Sequence, residues 1–186
     1  MENRNSDNPT LDNAILEMQN YNINGHIHNY AVWTAARAVQ RGFQGATTKS
    51  ISNAINDAGL KAKFLDSDIK WTDDKFKKIH EEVAKKLCSN LNDCKYGRAA
   101  KIIAIYLKTS VIIINKGECD LSKAAHPPID RKLLLKLKSK KLLFIDQKKL
   151  PNWTELDEPE YSKIINDIRN ILGDFPMWKI EKYWHV

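Results

Sequence analysis

Apolar residues along this chain recur mostly at intervals of three and four, the spacing that lines one face of an α-helix. Over 29–40, Tyr30, Trp33 and Arg37 alternate with the alanines 31, 35, 36 and 38, and Gly42 closes the segment. The alanines predict close packing against another helix. Thr47 or Thr48 caps a short helix ending near Gly59. Thr72 caps a longer one whose stripe is Phe76, Ile79, Val83 and Leu87. His80, followed by Glu81 and Glu82, reads as surface.

The most apolar helix is expected from close to Gly97, with Ile102, Ile103, Tyr106 and Leu107 buried. Val111 to Ile114 either extends it or forms a short strand, since β-branched residues favour strands and the run is too short for its period to decide. Continuation of the helix is preferred. Pro127-Pro128 restrains the entry to another helix, with Pro128 in its first turn and Asp130 at its N-terminus. Asp157, Pro159 and Glu160 make a start signal for a helix carrying Ile164, Ile168 and Leu172, which Gly173 ends. A last helix starts at Pro176. The fold expected is all-α: a flexible tail over 1–9, then one compact multi-helix domain over 10–186.

Composition narrows the setting. With 186 residues and 42% hydrophobic side chains, the chain can bury one core. Its apolar runs are too short to cross a bilayer, and its polar start, Met1 to Asp7, lacks a signal peptide's basic and apolar regions, so a cytoplasmic monomer off the membrane is expected. Three cysteines, Cys88, Cys94 and Cys119, fit neither a disulfide framework nor a four-thiolate cluster. No metal or other cofactor is expected. Lys and Arg outnumber Asp and Glu by 30 to 23, and the resulting +7 favours polyanions.

Candidate chemistry concentrates in 96–137. A lysine in the first turn of an apolar helix, as Lys101 is expected to be, feels the positive end of the helix dipole, which favours the neutral, nucleophilic amine. Asp130, held at a helix start behind two prolines, is oriented to stabilise developing positive charge or activate an attacking group. Against these stand the ordinary roles of a surface lysine and a helix cap. Beyond Asp130, Arg131, Lys132, Lys136, Lys138, Lys140, Lys141, Lys148 and Lys149 face one acid, Asp146. This basic face over 131–149 suits phosphate contact, to which backbone N–H groups near Gly97 could add.

The run Tyr96-Gly97-Arg98-Ala99-Ala100-Lys101 and the later Ile129-Asp130-Arg131 resemble the catalytic half of the helix-hairpin-helix superfamily of DNA glycosylases. The resemblance covers roughly 96–137 and is most similar to the archaeal 8-oxoguanine glycosylase branch, which shares the long separation between the two motifs. The chain also resembles uncharacterised small bacterial proteins with Tyr-Gly-x-Ala-x-Lys, Pro-Ile-Asp and a later Trp-x-x-x-Asp. The hairpin's usual pair of glycines is missing here.

The glycosylase resemblance implies a glycosylase-like fold and excision of a damaged or modified base from double-stranded DNA. Asp130 would assist base departure and Lys101 would form a Schiff base. Alignment on Gly97 places the family lysine at Ala99 instead, which would leave a monofunctional enzyme. Gly97, Arg98, Arg131, Lys132, Lys136 and Lys138 would hold the DNA, and Trp33 and His126 are candidates for the base pocket. The reading from another class is a non-enzymatic helical module that binds nucleic acid or protein through the same basic face.

Overall fold

The computed structural model describes residues 9–143 and 150–184. The tail expected over 1–9 therefore lies outside the described residues up to position 8, as do Asp146, Lys148 and Lys149 of the basic run.

Among the described residues the chain is helical throughout, without strands. The α-helices are α1 (Pro9–Asn20), α2 (Ile23–Gln40), α3 (Thr48–Asp57), α4 (Asp73–Asn90), α5 (Tyr96–Leu107), α6 (Asp120–Ala124), α7 (Arg131–Ser139) and α8 (Glu158–Leu172). A π-helical turn, Lys61–Leu65, precedes α4. Another, Lys108–Ile112, continues α5, and a 3-10 helix, Met177–Tyr183, ends the fold.

Local signals set most boundaries. The Thr47 hydroxyl and Ser50 form a capping box at α3, Thr72 caps α4, and Asp157 with Glu160 forms a second box at α8. Asn22 accepts the Gly25 N–H, so α2 begins six residues before position 29. The run from Val111 stays helical as a π turn, and Ile113 and Ile114 emerge at the surface. Pro128 is not in the first turn of a helix: α7 begins at Arg131 and both prolines lie in the buried, non-helical approach to it.

Helix α5 is the axis of the core, packed mainly between α2 and α4, with α8 closing one side. Ala31, Ala35 and Ala36 are fully buried on α2, where small side chains permit the close approach that their spacing predicts. The buried cluster extends without a break from Ala31 to Ile180. No helix among the described residues is long and apolar enough to cross a membrane.

Gly97 owes its identity to packing rather than to a hairpin turn. It sits inside the first turn of α5, and its N–H donates to the Leu156 carbonyl at 3.0 Å. A Cβ there would stand 3.0 Å from the Leu156 Cβ and closer still to the Trp153 carbonyl oxygen. Gly97→Ala is therefore expected to lower stability by ~1–3 kcal/mol, the usual cost of overpacking, read as a lower midpoint in thermal or urea unfolding.

Candidate functional site

Two helices bring Lys101 and Asp130 together. Lys101 stands in the second turn of α5, and Asp130 is the N-cap of α7, its Oδ1 accepting the Leu133 N–H at 3.0 Å. Their side chains meet at 3.5 Å between Nζ and Oδ2 and are only 11% and 15% exposed. A third element locks the pair, because Trp184, just after the 3-10 helix, donates its indole N–H to Asp130 Oδ2 at 3.0 Å. The lysine has its own aromatic seat, with Nζ 4.2 Å from the centre of the Trp153 ring.

Burial holds the Lys101 amine below its ordinary range, and the nearby Asp130 carboxylate opposes that shift by pair attraction and hydrogen bonding. Desolvation thus does the work assigned to the helix dipole, which falls off beyond the first turn. The result is an amine close to a carboxylate, both largely shut off from water.

A second ion pair adjoins the first. Lys108, at the start of the π turn, pairs with Glu181 of the 3-10 helix and lies 5.5 Å from the Trp184 ring. Burial raises the Glu181 carboxyl, Lys108 pulls it back down, and the charge on Asp130 pushes it up again, so the two carboxylates sense each other. Lys108 and Glu181 also wall a cleft of about 290 Å³ with Ile112, Ile113 and Trp178. Gly117 is required there: its φ is +76°, and a Cβ would lie 2.6 Å from the Trp178 indole nitrogen.

The other residues expected at a site fall differently. The Arg98 guanidinium is buried, donating to the Val39 and Gly42 carbonyls at 3.3 and 2.7 Å and lying over the Phe43 ring. With the Gly97 N–H committed to Leu156, both residues tie elements of the core together, and neither offers a phosphate contact. Arg131 and Lys132 are exposed at the start of α7 beside Asp130, with Lys132 Nζ 5.7 Å from the Trp184 ring. Lys136 and Lys138 are half-buried further along the same helix. Ala99 is fully buried in the core.

Trp33 is exposed and stacks on Tyr30, ring centres 5.8 Å apart, while His126 packs on Phe76 and His80. These contacts give both residues employment outside the Lys101–Asp130 pair. Sequence reading did not assign Trp184, Lys108 or Glu181 to the site, and Trp153 entered only as the first residue of the Trp-x-x-x-Asp pattern. Among the described residues no cluster of three or more His, Cys, Asp or Glu side chains is placed to hold a metal ion.

His80 is a correction. It is 1% exposed, on the buried stripe of α4, stacked on Tyr161 and sharing a 3.1 Å hydrogen bond with the Tyr96 hydroxyl through Nδ1. His126 shares one of 3.2 Å with the Tyr161 hydroxyl. A cavity of about 190 Å³ lies against this cluster, and on its rim Arg169 pairs with Asp73 and Lys77 with Glu81.

Burial lowers His80 from about 6.5 to about 3 and lowers His126 well below its ordinary range, the latter helped by His80, Arg169 and Lys77. The Nε2 of His80 has no hydrogen-bond partner. The unfolded chain takes up these protons below pH ~6.5 and the folded protein does not. Stability is accordingly full above that pH and lost as pH falls towards 3, by several kcal/mol at ~1.4 kcal/mol per tenfold difference in proton affinity. His80→Phe is expected to flatten the fall in urea midpoint between pH 6.5 and 4. An unchanged slope would remove His80 from that role.

Compared with known proteins, the chain matches no family model, no curated protein and no solved structure.

Proposed function

We propose that the protein is a base-excision enzyme of the DNA glycosylase type, with Lys101 as the Schiff-base nucleophile and Asp130 as the group that assists base departure. One observation carries the reading: residues 29 positions apart in sequence meet as a 3.5 Å amine–carboxylate pair, nearly closed to water. An ordinary helix cap needs no lysine partner, and Lys101 is seated on the Trp153 indole while largely shut off from water.

The chemistry follows from that pair. Asp130 takes the proton that the Lys101 amine sheds as its nitrogen bonds to C1′ of the nucleotide. The glycosidic bond breaks, its electron pair leaves with the base, and the base takes up a proton. The sugar ring then opens, O4′ gains a proton, and the nitrogen lone pair forms the C=N bond of an iminium. No oxidant or reductant is consumed. Asp130 also offsets the positive charge that builds at C1′.

Base flipping needs an apolar receptacle with a polar edge. The cleft walled by Ile112, Ile113 and Trp178, with Lys108 and Glu181 on its rim, supports that requirement and replaces Trp33 and His126 as the candidate. The exposed cations Arg131 and Lys132 stand beside Asp130 and suit the flanking phosphates.

The test is incubation with duplexes carrying uracil, 8-oxoguanine or alkylated bases, scoring abasic products and borohydride-trapped adducts. Release of one of these bases with a trapped adduct is the expected result. Salt-sensitive binding of intact duplex with no lesion processed would replace this reading with the binding module.

A further inference from the structure

Eight of the twelve large apolar side chains left exposed among the described residues lie between positions 11 and 33. On α1, Leu11, Ile15 and Met18 share one face at helical spacing, and none of the side chains described from Thr10 to Asn20 is buried. A helix of this length is marginal in water without tertiary packing, so its apolar face calls for a cover. Tyr21 carries the surface onward. Its hydroxyl lies 3.2 Å from the His26 Nδ1, and it leads onto the outer face of α2, where Ile23, Tyr30 and Trp33 are exposed.

Charge along these two helices is segregated. α1 carries Asp12 and Glu17 and no Lys or Arg; α2 carries Arg37 and no acid, and is followed by Arg41. Arg37 and Arg41 are both exposed. We infer that this surface is the interface of a two-fold homodimer, in which α1 of each copy lies antiparallel along α2 of the other.

That seating lays Leu11, Ile15 and Met18 over the partner copy's α2 and brings Asp12 to the end where Arg37 and Arg41 stand. Both contacts occur twice, as a closed isologous interface requires. Other covers fit less well. A helix with two acids and no cation is repelled by anionic lipid and by nucleic acid, both of which select basic faces. The dimer departs from the monomer expected from the sequence and is independent of the reading of Lys101 and Asp130.

The experiment is sedimentation or light scattering of the full chain across the micromolar range. Wild type is expected at the dimer mass. Ile15→Asp lies outside the core, so it is expected to keep the wild-type unfolding midpoint of the monomer fold while shifting the species to monomer. Arg37→Glu with Arg41→Glu is expected to weaken association at least tenfold, and adding Asp12→Lys and Glu17→Lys to the same chain is expected to restore it. A monomeric wild type, a dimer that survives Ile15→Asp, or a charge reversal without rescue would each overturn the interface. So would a monomer that co-sediments with phosphatidylserine vesicles through this face.

Discussion

Asp130→Asn is expected to slow base release by ~10²–10⁴-fold, the range that a positioned acid–base group contributes, while duplex affinity stays within a few-fold of wild type. Asparagine keeps the shape and an oxygen able to accept the Leu133 N–H, so the cap of α7 survives. What it removes is the charge and the acceptor for the Trp184 indole N–H, because the amide NH2 takes the place of Oδ2. Lys101 loses the carboxylate that takes its proton, and positive charge building at the sugar loses its nearest counter-charge. A lysine left alone in this pocket also costs stability, because removing one partner of a desolvated pair strands the other. The remaining exposure of both side chains moderates that cost. The unfolding midpoint should be measured alongside, at a temperature where the variant is fully folded. Base release at the wild-type rate in folded Asp130→Asn would remove Asp130 from the chemistry.

The second large effect is expected at Lys101. Lys101→Gln is one atom shorter but keeps a hydrogen-bond donor facing Asp130, and it has no amine, so borohydride-trapped adduct should fall to the background of a protein-free reaction. Base release by water can continue at a reduced rate, because Asp130, held by Leu133 and Trp184, is still aimed at the site. Loss of adduct with residual release therefore assigns the covalent step to Lys101 and the departure step to Asp130. Trapping that persists in Lys101→Gln would point to another amine and contradict the assignment.

Lys101 and Asp130 could be singled out from the chain because each carries a local signal: an amine on an apolar helix, and a carboxylate in a cap position behind two prolines. The helices around them were equally legible where a cap and a stripe coincided, as at Thr72 for α4 and at Asp157 for α8. His80 was misread although its position was readable. Four residues after Phe76 and seven before Leu87, it continues the buried stripe, but its neighbours Glu81 and Glu82 drew it to the surface.

Gly97 and Arg98 failed for a different reason. Their chemistry suited phosphate, yet what employs them is the turn at Trp153 and the carbonyls of Val39 and Gly42, partners more than fifty positions away in sequence. Trp184 was invisible as a site residue, and Trp153 entered only through the Trp-x-x-x-Asp pattern, because nothing local ties either position to 101 or 130. Their role follows only once the chain end folds back over the start of α7.

The most direct test of the Lys101–Asp130 account is to trap the protein on a processed lesion duplex with borohydride, digest the adduct and map the modified residue by mass spectrometry. The account predicts a reduced sugar remnant on the peptide containing Lys101. An adduct on the N-terminal amine or on any other lysine would contradict it, as would base release from which no adduct can be trapped.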